Sequence, residues 1–546
     1  MGTKTALLIF IIIVHEMTTG SRAQSQPDHT IPFGITTLST TNKTISFAQE
    51  LGAKTVRLAG PQAIIWDRIT SRGWSENDKI ISDFYNSGLE ISVVVLAGNP
   101  AAAGTLDAFS KFVREMAERY DGDGIDDAPG SPVVTYFEID NEPDLYEPNE
   151  KSDWKGTLSE TPDYAFVLKK AYEAIKSASP EAKVAIAGEA FAAPNSKQYY
   201  DSILTELDKL KSKPDDKFFD AYNFHYYGFY SDYLAGQITD VKSMLQKHGY
   251  ANTETIVTET ATYSGTSMFG GISNTLPYQS ETQQAESLVK RYMYAAANGV
   301  SKICWFMQHA ENGLTSPDGY KLLAYYSFRK MTEILEGCDW KNIEKIQESD
   351  GINFYKLEKQ GQPVWVAWAD SSVTKTFNLT GINSNLLRVT QAVPRDTSGK
   401  EVNDFAMAFD SDSIIVTNAS IELALNERVV FIESVNITSI EEPNKPAPVK
   451  FYLYQNYPNP FSSSTSIGYH LSSSGQVRLE VFDAAGRLIS TIVNEMKEAG
   501  DITSTYSGIR SSSEIRNAGT GIHAGVYYYR LATGENVLMK KMVVIR

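Results

Sequence analysis

Two glutamates stand out by where they fall. Glu142 lies in Asp140-Asn141-Glu142-Pro143-Asp144, directly after the run Pro132-Val133-Val134-Thr135-Tyr136-Phe137-Glu138-Ile139. Glu259 closes a second run, Glu254-Thr255-Ile256-Val257-Thr258. Both runs read as strands, the first of them a buried one. A carboxylate just past a buried strand, next to the proline that stops it, suits core packing poorly and chemistry at a sheet's C-terminal edge well. Two such groups can divide labour. One, as the acid, protonates a leaving oxygen, and the other, as the carboxylate, attacks carbon, which is the chemistry of glycosidic-bond cleavage.

To bring two strand ends across one mouth, the sheet must close. From residue 31 to 336 strand and helix patterns alternate. Strands are expected at 31–36, 54–59, 90–97, 132–140, 183–188, 218–226, 254–260 and 301–307, with amphipathic stretches such as 108–120, 164–177, 202–210, 282–298 and 321–335 between and after them. Strict alternation implies a parallel sheet. Eight βα units at this length favour an α/β fold of the (β/α)8 TIM-barrel type.

A chain of 546 residues is too long for one ordinary domain. After residue 340 the pattern becomes short, β-rich and turn-punctuated, as at 351–357, 364–368, 374–379, 413–417 and 428–432. It reads as a small β-sandwich packed on the barrel. The expected organisation is a signal peptide at 1–23, a catalytic barrel at 24–338, an accessory sandwich at 339–435, a proline-rich linker at 436–450 and an all-β unit at 451–546. The signal reading rests on Lys4, the short apolar run 6–14 and the small-x-small site Ser21-Arg22-Ala23. That run is too short to span a bilayer, and no later segment is expected to. A net charge of −16 disfavours a nucleic-acid partner, which would need a basic face. With only Cys304 and Cys338, a disulfide scaffold is excluded, and both read as structural thiols.

The last unit carries Tyr454-Gln455-Asn456-Tyr457-Pro458-Asn459-Pro460-Phe461, Val481-Phe482-Asp483-Ala484-Ala485-Gly486-Arg487, Gly525-Val526-Tyr527-Tyr528-Tyr529-Arg530-Leu531 and Lys540-Lys541-Met542. In that order these resemble the C-terminal immunoglobulin-like sorting domain of the type IX secretion system. Ser462-Ser463 stand where that family usually has Asn-Pro. The resemblance implies the type IX machinery as a partner and export through the outer membrane to the medium or the cell surface.

The barrel resembles the retaining glycoside hydrolases of clan A. The likeness rests on Thr55-Val56-Arg57-Leu58, Tyr136-Phe137-Glu138-Ile139, Asn141-Glu142-Pro143, Asn223-Phe224-His225-Tyr226-Tyr227, Glu259 and Trp305. The wording is closest to the xylosidase/iduronidase family, and cellulase-like families share most of it. By this resemblance Glu142 is the acid/base and Glu259 the nucleophile, the first protonated at rest and the second ionised. Arg57 would donate to Glu259, although an arginine at a strand end is often a plain ion pair. Asn141 would bond the sugar 2-hydroxyl. Strand alternation puts Asn223, His225 and Tyr227 on one face. His225 would orient the acid/base or touch sugar, and Tyr227 would bond the nucleophile. Trp305 is expected as a floor for the sugar, where a strand tryptophan is otherwise a core residue. Glu138 is expected inside the barrel as support. The family usually has Gly or Trp at the position of Asp140, a departure that sets a third carboxylate beside the pair.

The implied substrate is a β-linked polysaccharide or oligosaccharide. The aromatic loops near Tyr146, Trp154, Tyr263 and Tyr278, poor in Lys and Arg, point to neutral sugars. The alternative is a non-catalytic carbohydrate-binding surface protein, against which the intact glutamate pair speaks. Glu189 ends a strand and could simply line the cleft, with no role assigned, and His309 follows a strand and could touch substrate. No cofactor is expected. Asp121-Gly122-Asp123-Gly124-Ile125-Asp126-Asp127 has the oxygen pattern of a calcium loop but lacks the terminal glutamate of an EF-hand, so it reads first as a solvated acidic turn and only second as a structural, non-catalytic calcium site.

Overall fold

The structure is a computed structural model that describes residues 32–38, 42–145, 154–190, 195–227, 230–265, 278–306 and 313–435. Of the C-terminal portion it describes 452–453, 456, 461–471, 473–484, 486–507, 523–534 and 536–545. The expected leader, the linker, Tyr146 and His309 lie outside these residues. The chain forms two compact units, Met1–Asn436 and Ile437–Arg546.

Eight strands make the barrel: β1 Phe33–Thr37, β2 Thr55–Leu58, β3 Glu90–Leu96, β4 Tyr136–Ile139, β5 Lys183–Ile186, β6 Ala221–Tyr227, β7 Glu254–Ala261 and β8 Val300–Phe306. Each is parallel to the next, and β8 returns to β1 through Phe33↔Ile303 to Thr36↔Phe306, so the sheet closes. A two-residue strand, Ile64–Ile65, adds beside the end of β3. The expected (β/α)8 barrel is the fold. The strand before Glu142 begins later than the sequence reading placed it, at Tyr136 rather than 132. The reason is local. The Val134 N–H goes back to Tyr120 O at 2.9 Å, so residues ahead of Thr135 finish the preceding helix instead of pairing with β3.

The lumen is filled from its N-terminal end by Tyr136, Ala185, Ala221 and Ile256. Below them Glu254 accepts Tyr136 Oη at 2.7 Å and Lys183 Nζ at 2.6 Å. That plug leaves only the C-terminal mouth for chemistry.

One irregularity matters for the mouth. Against β6, Asn223 pairs with Ile256 but His225 pairs with Glu259, and against β8, Val257 pairs with Ile303 but Thr260 with Trp305. Strand β7 therefore carries one extra residue, a bulge, which breaks the alternation of its side chains. Thr258 and Glu259, neighbours in sequence, both reach into the lumen as a result.

The sandwich has a six-stranded antiparallel sheet and a two-stranded one, Lys375–Thr380 with Ser420–Leu425. Alternation splits its side chains cleanly. Phe354, Trp365 and Ala367 face the sandwich's own core, whereas Tyr355, Leu357, Val364, Val366 and Trp368 join the core of the barrel. Five such side chains at about 1.5–3 kcal/mol each come to about 10 kcal/mol. That rivals the usual whole-domain stability of about 5–15 kcal/mol, which is why barrel and sandwich hold together as one compact unit.

The second unit has a three-stranded and a four-stranded antiparallel sheet. Its core includes Phe461, Ile467, Tyr469, Val477, Leu479, Val481, Tyr529 and Met542. Asn456 donates its backbone N–H to Tyr529 Oη at 2.8 Å and its amide to Thr465 Oγ1 at 2.9 Å. Both cysteines are free and buried. Among the described residues, no helix is long and apolar enough to cross a membrane.

Candidate active site

Arg57, on β2, is the fully buried hub of the mouth. Its Nε and Nη2 donate to the two oxygens of Glu138 at 2.8 and 2.7 Å. Nη1 donates to Glu259 Oε1, and Nη2 also reaches Asn141 Oδ1 at 2.7 Å. A planar fork with five donors suits such a task, which a lysine could not perform. The bidentate grip of Glu138 fixes the guanidinium in place and leaves Nη1 aimed at Glu259. Because Arg57 can only donate, Asn141 must turn its oxygen inward, and its amide nitrogen remains to donate elsewhere.

Glu259 is bonded from both sides: Arg57 holds Oε1 and Tyr227 Oη donates to Oε2. Burial pushes its carboxyl up, but His225, Arg57 and the Tyr227 bond together outweigh burial and hold it below the usual carboxylate range. For His225 burial acts downward, and the charges of Glu259 and Glu142 prevail and raise it.

Glu142 follows β4 on a strained turn: Asp140 has φ 73° and Glu142 φ 46°. Its Oε1 lies 2.7 Å from His225 Nδ1. His225 fits there only because Gly188 has no side chain, since a Cβ at Gly188 would lie 2.1 Å from His225 Nε2. One carboxylate oxygen each from Glu142 and Glu259 and a ring nitrogen of His225 all lie within 4.8 Å of one another. These are also metal-ligating atom types, and one oxygen of Glu259 is already taken by the Arg57 guanidinium.

Asp140 is a turn residue. Its Oδ1 accepts the Asn141 N–H at 2.8 Å and its Oδ2 accepts Trp154 Nε1 at 2.8 Å. Its positive φ favours glycine, and Asp is among the few other residues that tolerate it.

Three expectations change. Trp305 is not a sugar floor. It is fully buried and points outward from β8, stacked on Tyr292 of helix Glu281–Ala297 with Arg291 over its ring. The alternation that turns Trp305 outward turns Phe306, at the end of the strand, toward the mouth, edge-on to Tyr227 at 6.0 Å. Trp154 and Tyr263 are buried, so only Tyr278 of the described loop aromatics is exposed. Glu189 also turns away from the cleft: Tyr222 Oη donates to it at 2.7 Å on the outer side of the sheet, and burial raises its carboxyl.

Asp121, Asp123 and Asp127 each bring an oxygen within 4.8 Å of the others, the donor set a calcium ion would use. Burial and the neighbouring Asp123 and Asp127 push Asp121 up to about 6, against the lowering pull of the Asp123 N–H. Three backbone N–H groups, of Asp123, Gly124 and Ile125, already bond carboxylates within the turn.

The sequence reading did not assign Thr258 or Gly188. Thr258 would have needed the bulge to be visible. Gly188 carries a signal only once His225 is known to stand opposite.

Residues 18–311, just over half of the chain, match the model of the cellulase family, glycosyl hydrolase family 5. No curated protein matches it in sequence. The fold is similar to the crystal structure of a glucosidase from Croceicoccus marinus, with TM-score 0.52, 14% identity, and coverage of 75% of this chain and 96% of that one. It is also similar to an alpha-L-arabinofuranosidase from Thermotoga maritima in complex with arabinose, with TM-score 0.50, 12% identity, and coverage of 72% and 89%.

Proposed function

We propose that this chain, which belongs to the cellulase family (glycosyl hydrolase family 5) and is a clan A glycoside hydrolase, cleaves β-linked polysaccharide or oligosaccharide by double displacement with retention. The family assignment favours the cellulase-like side of the likeness read in the sequence over the xylosidase/iduronidase side. Glu142 gives its proton to the leaving oxygen while Glu259 attacks the anomeric carbon, forming a glycosyl-enzyme ester. Glu142 then takes a proton from water, the water oxygen attacks the same carbon, and Glu259 leaves as carboxylate. Asn141 donates to the sugar 2-hydroxyl. The mechanism uses no cofactor.

The observation that carries this reading is the pair's closeness: one oxygen of Glu142 lies within 4.8 Å of one oxygen of Glu259, and the two carboxylates share His225 Nδ1 at 2.7 and 3.9 Å. An inverting pair stands about 6.5–9.5 Å apart to admit a water between its members, and a retaining pair about 5–5.5 Å. A neutral sugar is favoured at the cleavage point. The Arg57 guanidinium is already bound to two carboxylates, Glu138 and Glu259, and so is not available to pair with an anionic sugar. The leader at 1–23 and the unit at 451–546, by its likeness to type IX sorting domains, support export through the outer membrane to the medium or cell surface, with residues 24–338 as the catalytic part.

The test is Glu142→Gln and Glu259→Gln on a panel of aryl β-glycosides, with proton NMR of the first-formed anomer. Loss of turnover in both variants and a β-anomer from the wild type are expected. Full activity in either variant, or an α-anomer, overturns the reading. Glycan binding by the wild type with no product at all would instead favour a binding protein.

A further inference from the structure

A carboxylic acid has two oxygens on which to hold its proton, and only one of them can serve the leaving group. Oε1 of Glu142 is 2.7 Å from His225 Nδ1. If Nδ1 carries hydrogen, it donates to Oε1, and the proton of Glu142 sits on Oε2, free for substrate. If Nδ1 is bare, it accepts from Oε1 and draws the proton away. The tautomer of the neutral ring decides between the two.

That tautomer is set from the ring's far side, where Nε2 lies 3.1 Å from Thr258 Oγ1. The Thr258 backbone N–H donates to Asn223 Oδ1 at 3.1 Å. This fixes the amide, so Asn223 Nδ2 is the atom 2.8 Å from Thr258 Oγ1, and it can only donate. The single hydrogen of the Thr258 hydroxyl is then free to point at Nε2. Thr36 Oγ1 holds the Thr258 carbonyl at 2.5 Å, which keeps the hydroxyl in position. Asn223, Thr258 and His225 are all buried, so a donor facing a donor anywhere along this chain would be costly.

We propose that Asn223 and Thr258 are positioning residues that hold His225 with its hydrogen on Nδ1, and so keep the catalytic proton on Oε2 of Glu142. Every donor then points one way, from Asn223 to Thr258 to His225 to Glu142. The groups facing the ring agree with this. Glu142 on the turn after β4 and Glu259 on β7, whose Oε2 is 3.9 Å from Nδ1, both favour hydrogen at Nδ1. Arg57 on β2 and the Tyr227 hydroxyl on its own strand only donate here, both to Glu259. If the ring takes a second proton, Thr258 turns its hydroxyl and accepts from Nε2. The inference rests on Glu142 being the acid/base.

Thr258→Val removes the hydroxyl at nearly constant volume, and Thr258→Ser keeps it. Nitrogen-15 NMR of ring-labelled protein, at a pH where His225 is neutral, reads the tautomer without reference to activity. The wild type and the Ser variant should carry Nδ1–H, and the Val variant should shift toward Nε2–H. In kcat/KM the Val variant should lose on the order of 10²-fold on an alkyl glycoside, whose leaving oxygen needs a proton. It should lose far less on a dinitrophenyl glycoside, and Ser should restore most of the loss. If Val unfolds the protein, Asn223→Asp tests the same chain, because its carboxylate draws the Thr258 hydrogen to itself and should give the same tautomer shift. An Nε2–H ring in the wild type, or equal losses on both substrates, overturns the inference. Glu142→Gln separates the two levels. Without the same dependence on leaving group it is the acid assignment that fails, whatever the tautomer.

Discussion

Replacing Tyr227 by Phe deletes one hydroxyl and leaves the ring in place against Phe306. That hydroxyl donates to Oε2 of Glu259 and, with His225 and Arg57, keeps this buried carboxyl below the usual range. A hydrogen bond to a charged group contributes about 1.5–3 kcal/mol. About 1.4 kcal/mol corresponds to a tenfold change in a protonation equilibrium. The sign follows from the role. In the proposed mechanism Glu259 attacks as carboxylate, so activity is lost as pH falls through its titration, and weakening the support makes that loss begin at higher pH. The acid limb of kcat/KM, which reports the free enzyme, should therefore move about one to two pH units toward neutrality. The assay is a profile of kcat/KM from acid to mildly alkaline pH on an aryl β-glycoside, for wild type and Tyr227→Phe, with circular dichroism to confirm folding. An acid limb that stays put, or moves to lower pH, refutes the claim that Tyr227 holds the nucleophile ionised.

Gly188→Ala should cut kcat/KM by about 10²-fold or more, because the new Cβ would meet His225 Nε2 at 2.1 Å and must displace the ring; far-UV circular dichroism should remain that of the wild type. Glu286 lies at the barrel–sandwich contact and accepts the Val429 N–H at 2.8 Å, and burial, against that bond, pushes its carboxyl up to about 7. A raised acid binds its proton more tightly in the folded state, so its contribution to stability is present below its unfolded pKa and is lost as pH rises toward 7. Glu286→Gln should therefore gain Tm over the wild type at pH 8 relative to pH 5, and an identical Tm difference at both pH values would contradict this. Trp305→Phe should lower stability to urea by about 1–3 kcal/mol, as a core substitution, while KM stays within about twofold; a large rise in KM would return Trp305 to the substrate.

The barrel could be read in the sequence because each of its strands is bounded by polar or glycine-bearing turns and followed by a helix-period segment. Arg57, Asn141, Glu142, His225, Tyr227 and Glu259 were legible as a set because they sit at strand ends. Their partnerships across the mouth come from the closed sheet. Trp305 was misjudged by one residue of alternation: the side that faces the mouth at the end of β8 belongs to Phe306. Thr258 was hidden for the converse reason. Strict alternation sends it away from Glu259, and only the extra residue in β7 brings both inward. A bulge is a property of register between three strands, and no single run of residues announces it. The loop aromatics misled because a loop tryptophan can be buried. Trp154 is held by its Nε1 bond to Asp140 and its edge contact with Tyr164.

The third carboxylate of the pentapeptide, Asp140, finds its explanation in the turn it occupies. Two non-glycine residues with positive φ, Asp140 and Glu142, flank a single residue there, and each such position costs on the order of 1 kcal/mol or more. Strain of this kind persists only where the surroundings over-determine the geometry, and here they do. Asp140 ties the Asn141 N–H and Trp154 Nε1, Asn141 is tied to Arg57, and Asp144 accepts the Ala190 N–H at 3.1 Å and the Ser196 hydroxyl. Burial, with Glu142 and Glu189 nearby, holds Asp144 well above the usual carboxylate range in spite of the Ala190 bond. Both aspartates thus serve the backbone, one on each side of Glu142. A glycine at 140 would relieve one strained position and release both the Asn141 N–H and Trp154. In this chain the turn is held by side chains on both sides of Glu142, and the carboxyl proposed as proton donor is correspondingly fixed.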